Sequence, residues 1–254
     1  MKIGCQTITF GNERHKTDWR GIIKSVASSG YDGMEVGFVR FDLDEIENFK
    51  KCQQEYNITQ AAIHIGGDFS DVESVKRQLD NISVLIKLAH TLECPNVFFS
   101  GSPGVKDYKT ASENLNKLGK LINENGLVLS YHNHDWEIKS ECCEHCCGLY
   151  TLCDNTDPKY LSFVPDIGWV TRGGKKPVDV LKRLGDRVSN LHFKEFTDGG
   201  NFTELGKGSV DFKDAYEFVK DRDFWIIAEQ DASSIGADES VAQNFEYIKN
   251  LIKS

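Results

Sequence analysis

The 254-residue chain is poor in proline, with five, and has no Pro- or Ser-rich stretch to mark a linker. It has no run of about 18 apolar residues, so no helix is expected to cross a membrane. It has no excess of positive charge. The formal net charge is -9, whereas nucleic-acid binders carry a basic footprint, so DNA, RNA and anionic membranes are disfavoured as partners. Met1-Lys2-Ile3-Gly4-Cys5 runs straight into a strand-like segment, without the pattern of a signal peptide. The eight cysteines are therefore expected to be reduced thiols of a cytoplasmic protein. The first strand is not followed by the Gly-rich phosphate loop of a dinucleotide fold.

What the chain does have is alternation. Strand-like runs are expected over 2–9, 33–37, 58–65, 96–100, 127–130, 160–166, 187–194 and 224–229. Helices are expected over 18–29, 42–56, 71–92, 108–125, towards Asn155, and over 178–184, 211–220 and 238–252. Alternating βα units argue for a parallel sheet with helices outside. Eight of them in about 250 residues suggest one (β/α)8 barrel over the whole chain. An open doubly wound sheet or two smaller domains are the alternatives.

The polar strand ends carry the chemistry. Tyr131-His132-Asn133-His134-Asp135-Trp136-Glu137 follows the apolar run Leu127-Val128-Leu129-Ser130. A strand core has no use for two imidazoles, an amide and two carboxylates, because buried polar groups are costly without partners. Side chains alternate along a strand, so His132 and His134 face the same way. Other strands end in Gln6, Glu35, His64, Asp166, His192 with Lys194, and Glu229 with Gln230. Singly, each has a plain reading as a cap, a core histidine or an ion pair. Together they converge on the C-terminal mouth, where barrel enzymes keep their catalytic groups. A divalent cation would neutralise them, and mixed carboxylate and imidazole donors suit Mn²⁺, Mg²⁺, Co²⁺ or Zn²⁺.

On these motifs the chain resembles the sugar phosphate isomerase/epimerase superfamily, the xylose isomerase-like barrels. Gly4-Cys5-Gln6-Thr7 and Gly30-Tyr31-Asp32-Gly33-Met34-Glu35 open the resemblance. Asp166-Ile167-Gly168-Trp169, His192-Phe193-Lys194 and Leu205-Gly206-Lys207-Gly208 continue it, nearest to the inosose dehydratases and keto-glycoside lyases. The resemblance implies one divalent ion held by Asp166, His192, Glu229 and a group from the fifth strand. Relatives have a glutamate ligand where this chain has His132, so the fourth ligand is expected to be Glu137, with His132 as the alternative. Many relatives also have a histidine where Trp169 stands, so the paired-glutamate epimerase site is not copied directly.

The chemistry implied is proton removal next to a carbonyl of a keto-sugar or inosose, through an enediolate. His134 or His132 is expected as the base, His64 as its substitute, and Lys194 as a support for an oxyanion. Gln6, Glu35, Trp169, Arg172 and Gln230 are expected to contact a carbohydrate substrate. Isomerisation or epimerisation is the main reading, and dehydration or glycoside cleavage is the alternative. An endonuclease of the same superfamily or a non-catalytic sugar-binding barrel ranks lower, and a homo-oligomer is left open. Cys142 to Cys147, with Cys153 beyond, includes the zinc-like gap Cys143–Cys146. Reduced thiols in a loop are the favoured reading there.

Overall fold

The computed structural model describes residues 1–140 and 147–253. Eight parallel strands make one sheet: β1 (Lys2–Gln6), β2 (Gly33–Gly37), β3 (Thr59–Gly67), β4 (Asn96–Gly101), β5 (Val128–His132), β6 (Ser162–Val164), β7 (Leu191–Phe193) and β10 (Trp225–Ala228). Their order is β6-β5-β4-β3-β2-β1-β10-β7. The ends meet through the parallel bridges Phe163–Val188 and Asp166–His192, so the sheet closes into the expected barrel. A short antiparallel ribbon, β8 (Glu195–Phe196) and β9 (Phe202–Thr203), projects after β7.

Helices alternate with these strands on the outside, each by a local logic. In α2 (Trp19–Ser29), Asp18 caps the start, accepting from Gly21 N at 2.9 Å, and Gly30 ends the helix at φ 105°. Its buried face is Ile22, Ile23 and Val26. Between barrel and helices lies the main apolar core, with Leu115, Leu118, Ile122, Phe163 and Ile248 fully buried. A smaller cluster, Ala61, Ala62, Phe98, Val164 and Ile227, lies apart from it. The ring of Phe98 meets that of His192 edge-on, at 5.7 Å.

Three expectations are corrected. The helix over 71–92 is two helices, α4 (Val72–Asp80) and α5 (Ile82–Thr91). Asn81 separates them, with its side-chain amide donating to Arg77 O at 2.8 Å, the local competition that makes asparagine a poor helix interior. The sixth and seventh strands are only three residues each, because pairing between them has thinned to bridges. Short helices also follow β5 and β6, namely α7 (Asp135–Lys139) and α9 (Ile167–Arg172). Cys142, Cys143 and Cys146 lie outside the described residues. Cys147 and Cys153 are buried, Cys153 in the helix α8 (Gly148–Asn155).

Candidate active site and metal centre

His132 ends β5, Asp166 follows β6, His192 lies in β7 and Glu229 follows β10. One donor atom from each of the four lies within 4.8 Å of the others, and all four residues are buried. The register explains this, since Asp166 and His192 are bridge partners and His192 is paired with Ile227 in β10. Asp166 divides its two oxygens. Oδ1 accepts from Trp169 N at 2.9 Å and caps α9, while Oδ2 faces the cluster. Gly168 in that motif permits the approach, because a Cβ there would lie 2.1 Å from Lys194 O.

The packing of the four groups fits a cation. His132 Nε2 lies 3.2 Å from Glu229 Oε2 and 3.4 Å from Asp166 Oδ2. It makes no well-directed hydrogen bond to either, and Asp166 Oδ2 is likewise left without one. His192 Nδ1 meets Glu229 Oε2 at 2.5 Å, and buried donors that otherwise crowd a common point unpaired are the arrangement that ligands of a shared ion take. The charges agree. Burial opposes ionisation of Glu229, yet Lys194 and His132 hold it well below the usual carboxylate range. Burial likewise disfavours the imidazolium of His192, yet Glu35 and Glu229 raise it to about 10.

Around the cluster runs a ring of contacts. His132 Nδ1 is 3.1 Å from Ser100 Oγ, which is 2.7 Å from His64 Nε2. His64 Nδ1 is 2.6 Å from Glu35 Oε1, and Glu35 Oε2 is 2.8 Å from His192 Nε2. Glu35 is fully buried at 0% exposure, and its two imidazole neighbours lower it to about 2 against the pull of burial.

Several of the expected site residues have partners within the protein. Glu35 faces imidazoles rather than the open mouth. Gln6 is buried and caps the turn after β1, accepting from Ile8 N at 2.7 Å. Gln230 is buried too, its amide shared among Glu204, Ala232, Ser240 and Asn244. Arg172 holds Asp135 at 3.5 Å and Gly200 O at 3.1 Å, which ties α7 to the β8–β9 ribbon. Glu137 is not in the cluster. Its carboxylate accepts from Tyr131 Oη at 2.8 Å and His134 N at 2.7 Å, and burial raises it to about 7. Of the two fifth-strand candidates, the fold brings in His132. His64 has both ring nitrogens engaged.

His134 stacks on Trp136, with ring centroids 3.9 Å apart, and its buried Nδ1 makes no well-formed hydrogen bond. Burial, then the positive neighbours His132 and Lys194, lower it to about 2. Lys194, almost wholly buried, reaches Glu229 at 3.1 Å and Asp231 at 3.0 Å. It also lies over the ring of Trp169 at 4.8 Å. Trp136, Trp169, Phe196 and Phe202 form an aromatic wall beside the cluster. Both indole N–H groups on it are buried and lack partners among the described residues. Sequence reasoning missed Ser100, Asp231 and Trp136. Trp136 lies within the fifth-strand motif and Asp231 directly follows Gln230, but a lone serine at a strand end carries no signal.

The fold and this cluster define the class: a parallel (β/α)8 barrel with a buried four-residue site at its mouth able to hold a metal ion. Residues 23–251 match the family described as xylose isomerase-like TIM barrel, and the chain belongs to that family. It is similar to the inosose dehydratase of Clostridium perfringens strain 13, with 29% identity covering 98% of this chain and 97% of that one. It superposes on a sugar phosphate isomerase/epimerase from Parabacteroides distasonis with TM-score 0.82 and 18% identity, covering 98% of both chains. It superposes on IOLI protein, solved with a bound zinc atom, with TM-score 0.79 and 15% identity, covering 100% of this chain and 98% of that one.

Proposed function

We propose that this chain is a divalent-metal-dependent enzyme that removes a proton next to the carbonyl of a keto-sugar or inosose. The observation that carries the reading is the buried cluster His132, Asp166, His192 and Glu229, whose donor atoms lie within 4.8 Å of one another, with His132 Nε2 and Asp166 Oδ2 left without hydrogen-bond partners among the described residues. Two imidazoles and two carboxylates suit Zn²⁺, Co²⁺ or Mn²⁺ better than Mg²⁺, which prefers oxygen donors. When bound, such an ion polarises a carbonyl and stabilises the negative charge that forms on its oxygen. The zinc in IOLI protein supports an ion in this kind of barrel.

The residues then divide the work. His134 is the proposed base. Its depressed value costs proton-transfer driving force, since the ideal base titrates near the working pH, but keeps the imidazole in its basic form at any ordinary pH. Lys194 steadies the developing oxyanion from its place between Glu229 and Asp231. Trp169 and Trp136 cover the sugar ring and offer N–H donors to its hydroxyls. Lining the cleft with aromatic rings also excludes water from the reacting carbon.

After proton removal, return of the proton to the other face or to the neighbouring carbon gives epimerisation or isomerisation. Loss of a β-hydroxyl as water gives dehydration. The near full-length similarity to an inosose dehydratase favours elimination. The test is incubation of the metal-loaded protein with keto-sugars and inososes in D₂O. Solvent deuterium in substrate or product, with loss of water on mass spectrometry, is the expected result. Neither signal from any of these substrates would refute the reading.

A further inference from the structure

A cation of the mouth, Arg40, is unused by that chemistry. It ends the 3-10 turn Phe38–Arg40 that follows β2. Residues two apart on a strand share a face. Glu35 points into the barrel towards His192, so Gly37 presents its bare α-carbon to the mouth one step above. A Cβ on Gly37 would lie 2.9 Å from Arg40 Nη1. The guanidinium therefore rests against this backbone, over the mouth, in space that any larger residue would take.

Its fixed partner is Asn12, whose Oδ1 accepts from Arg40 Nε at 3.0 Å. Among the described residues no carboxylate lies within 4.0 Å of the Arg40 guanidinium, although nearby Arg14 has both Asp18 and Asp238. Arg40 is half-buried, and burial works against its charge while Asp231 and Glu229 support it from within the mouth. Those two acids are already spanned by Lys194. Beside Arg40 opens a cleft of about 380 Å³ lined by Asn12, His15, Lys16, Val39, Arg40, Phe41 and Asp42. Asp42 is engaged as the cap of the next turn, accepting from Asp44 N at 3.1 Å. Both ring nitrogens of His15 are bonded, to Gly11 O and Thr7 Oγ1.

We propose that Arg40, helped by Lys16, holds a carboxylate or phosphate at the end of the substrate remote from the metal. The inference rests on the reading under Proposed function and takes its substrate to be a keto-sugar or inosose that carries an acidic or phosphate group. A guanidinium carries parallel N–H donors in a fixed fork that matches both oxyanions. Here that fork is held at Nε by Asn12 and, among the described residues, left open at its Nη groups.

The test titrates the protein calorimetrically with D-glucuronate, D-glucose 6-phosphate and D-glucose, with and without added Mn²⁺, alongside Arg40→Met and Arg40→Lys. At least one acidic probe should bind about tenfold or more tighter than glucose, the worth of a charge-assisted pair. Which of the two binds identifies the anion. Arg40→Met should erase that preference and Arg40→Lys should keep part of it, with melting temperature showing that both are folded. The proposal is overturned if neither acidic probe outbinds glucose, or if Arg40→Met retains the preference. Metal content measured on the same samples separates the two readings. Protein that takes up no ion refutes the metal reading, whereas metal-loaded protein without an anion preference overturns only this one.

Discussion

Glu35 Oε2 stands 2.8 Å from His192 Nε2, and neither atom is exposed. The other oxygen of the same carboxylate holds His64, and through Ser100 it reaches His132. One buried acid thus backs both imidazoles of the cluster. Partners behind metal-binding histidines typically change affinity by 10–100-fold when altered. Glu35→Gln, which keeps volume and removes the charge, should weaken Mn²⁺ or Zn²⁺ binding on about that scale. Metal titration would check it, and unchanged affinity would show that Glu35 serves the fold alone.

The fifth-strand ligand is decided by a pair of substitutions. His132→Ala should abolish stoichiometric metal uptake. Glu137→Gln should leave uptake intact but lower the melting temperature, because Tyr131 and the start of α7 lose a carboxyl acceptor, a loss of roughly 1–3 kcal/mol. Elemental analysis and thermal melts would distinguish them. The reverse pattern would return Glu137 to the metal.

Metal and base should separate cleanly. Glu229→Gln removes a charge from the cluster, so affinity should fall and activity should return in part at high Mn²⁺ or Co²⁺. His134→Gln should keep the metal while slowing exchange of the substrate proton by roughly 10²–10⁴-fold, without rescue by added ion. Loss of metal in the His134 variant would make that residue a ligand. Normal exchange would move the base elsewhere, with Asp231 tested next.

Metal affinity should rise with pH. Glu35 and Glu229 raise His192 to about 10, so an ion must displace a proton from it. Titrations at pH 6 and pH 8 should show tighter binding at pH 8, with protons released on binding. Affinity independent of pH would remove His192 from the donor set.

His15 gives a pH term far from the metal. Burial is the main cause that lowers it to about 4 from its ordinary 6.5, with Arg40 and Arg14 adding to it. The unfolded chain therefore takes the proton first as pH falls. Its contribution to stability is complete above about pH 6.5 and is lost progressively as pH drops towards 4, by no more than about 3 kcal/mol. Urea unfolding of the protein and of His15→Gln across that window should show the smaller slope in the variant. Equal slopes would mean that His15 does not carry the effect.

The sequence alone determined the eight βα units, because the two hydrophobic periods, the caps at Asp18 and Gly30 and the turns between them are local signals. It also placed Asp166, His192 and Glu229 at strand ends on one rim, since alternation along a strand is fixed by backbone geometry. It put Glu137 ahead of His132 as the fifth-strand donor, whereas the cluster holds His132. A carboxylate that closes a helix cap and one that meets an ion are the same letter, and only packing shows that Tyr131 and His134 N already occupy Glu137. Likewise the partners that hold Gln6, Glu35 and Gln230 could not be read from the sequence, and Ser100 and Arg40 carried no signal at all. Their environments are built from segments tens to hundreds of residues apart in the chain. Whether a polar group is free to meet a ligand depends on which distant atoms have already satisfied it, and barrel closure alone decides that.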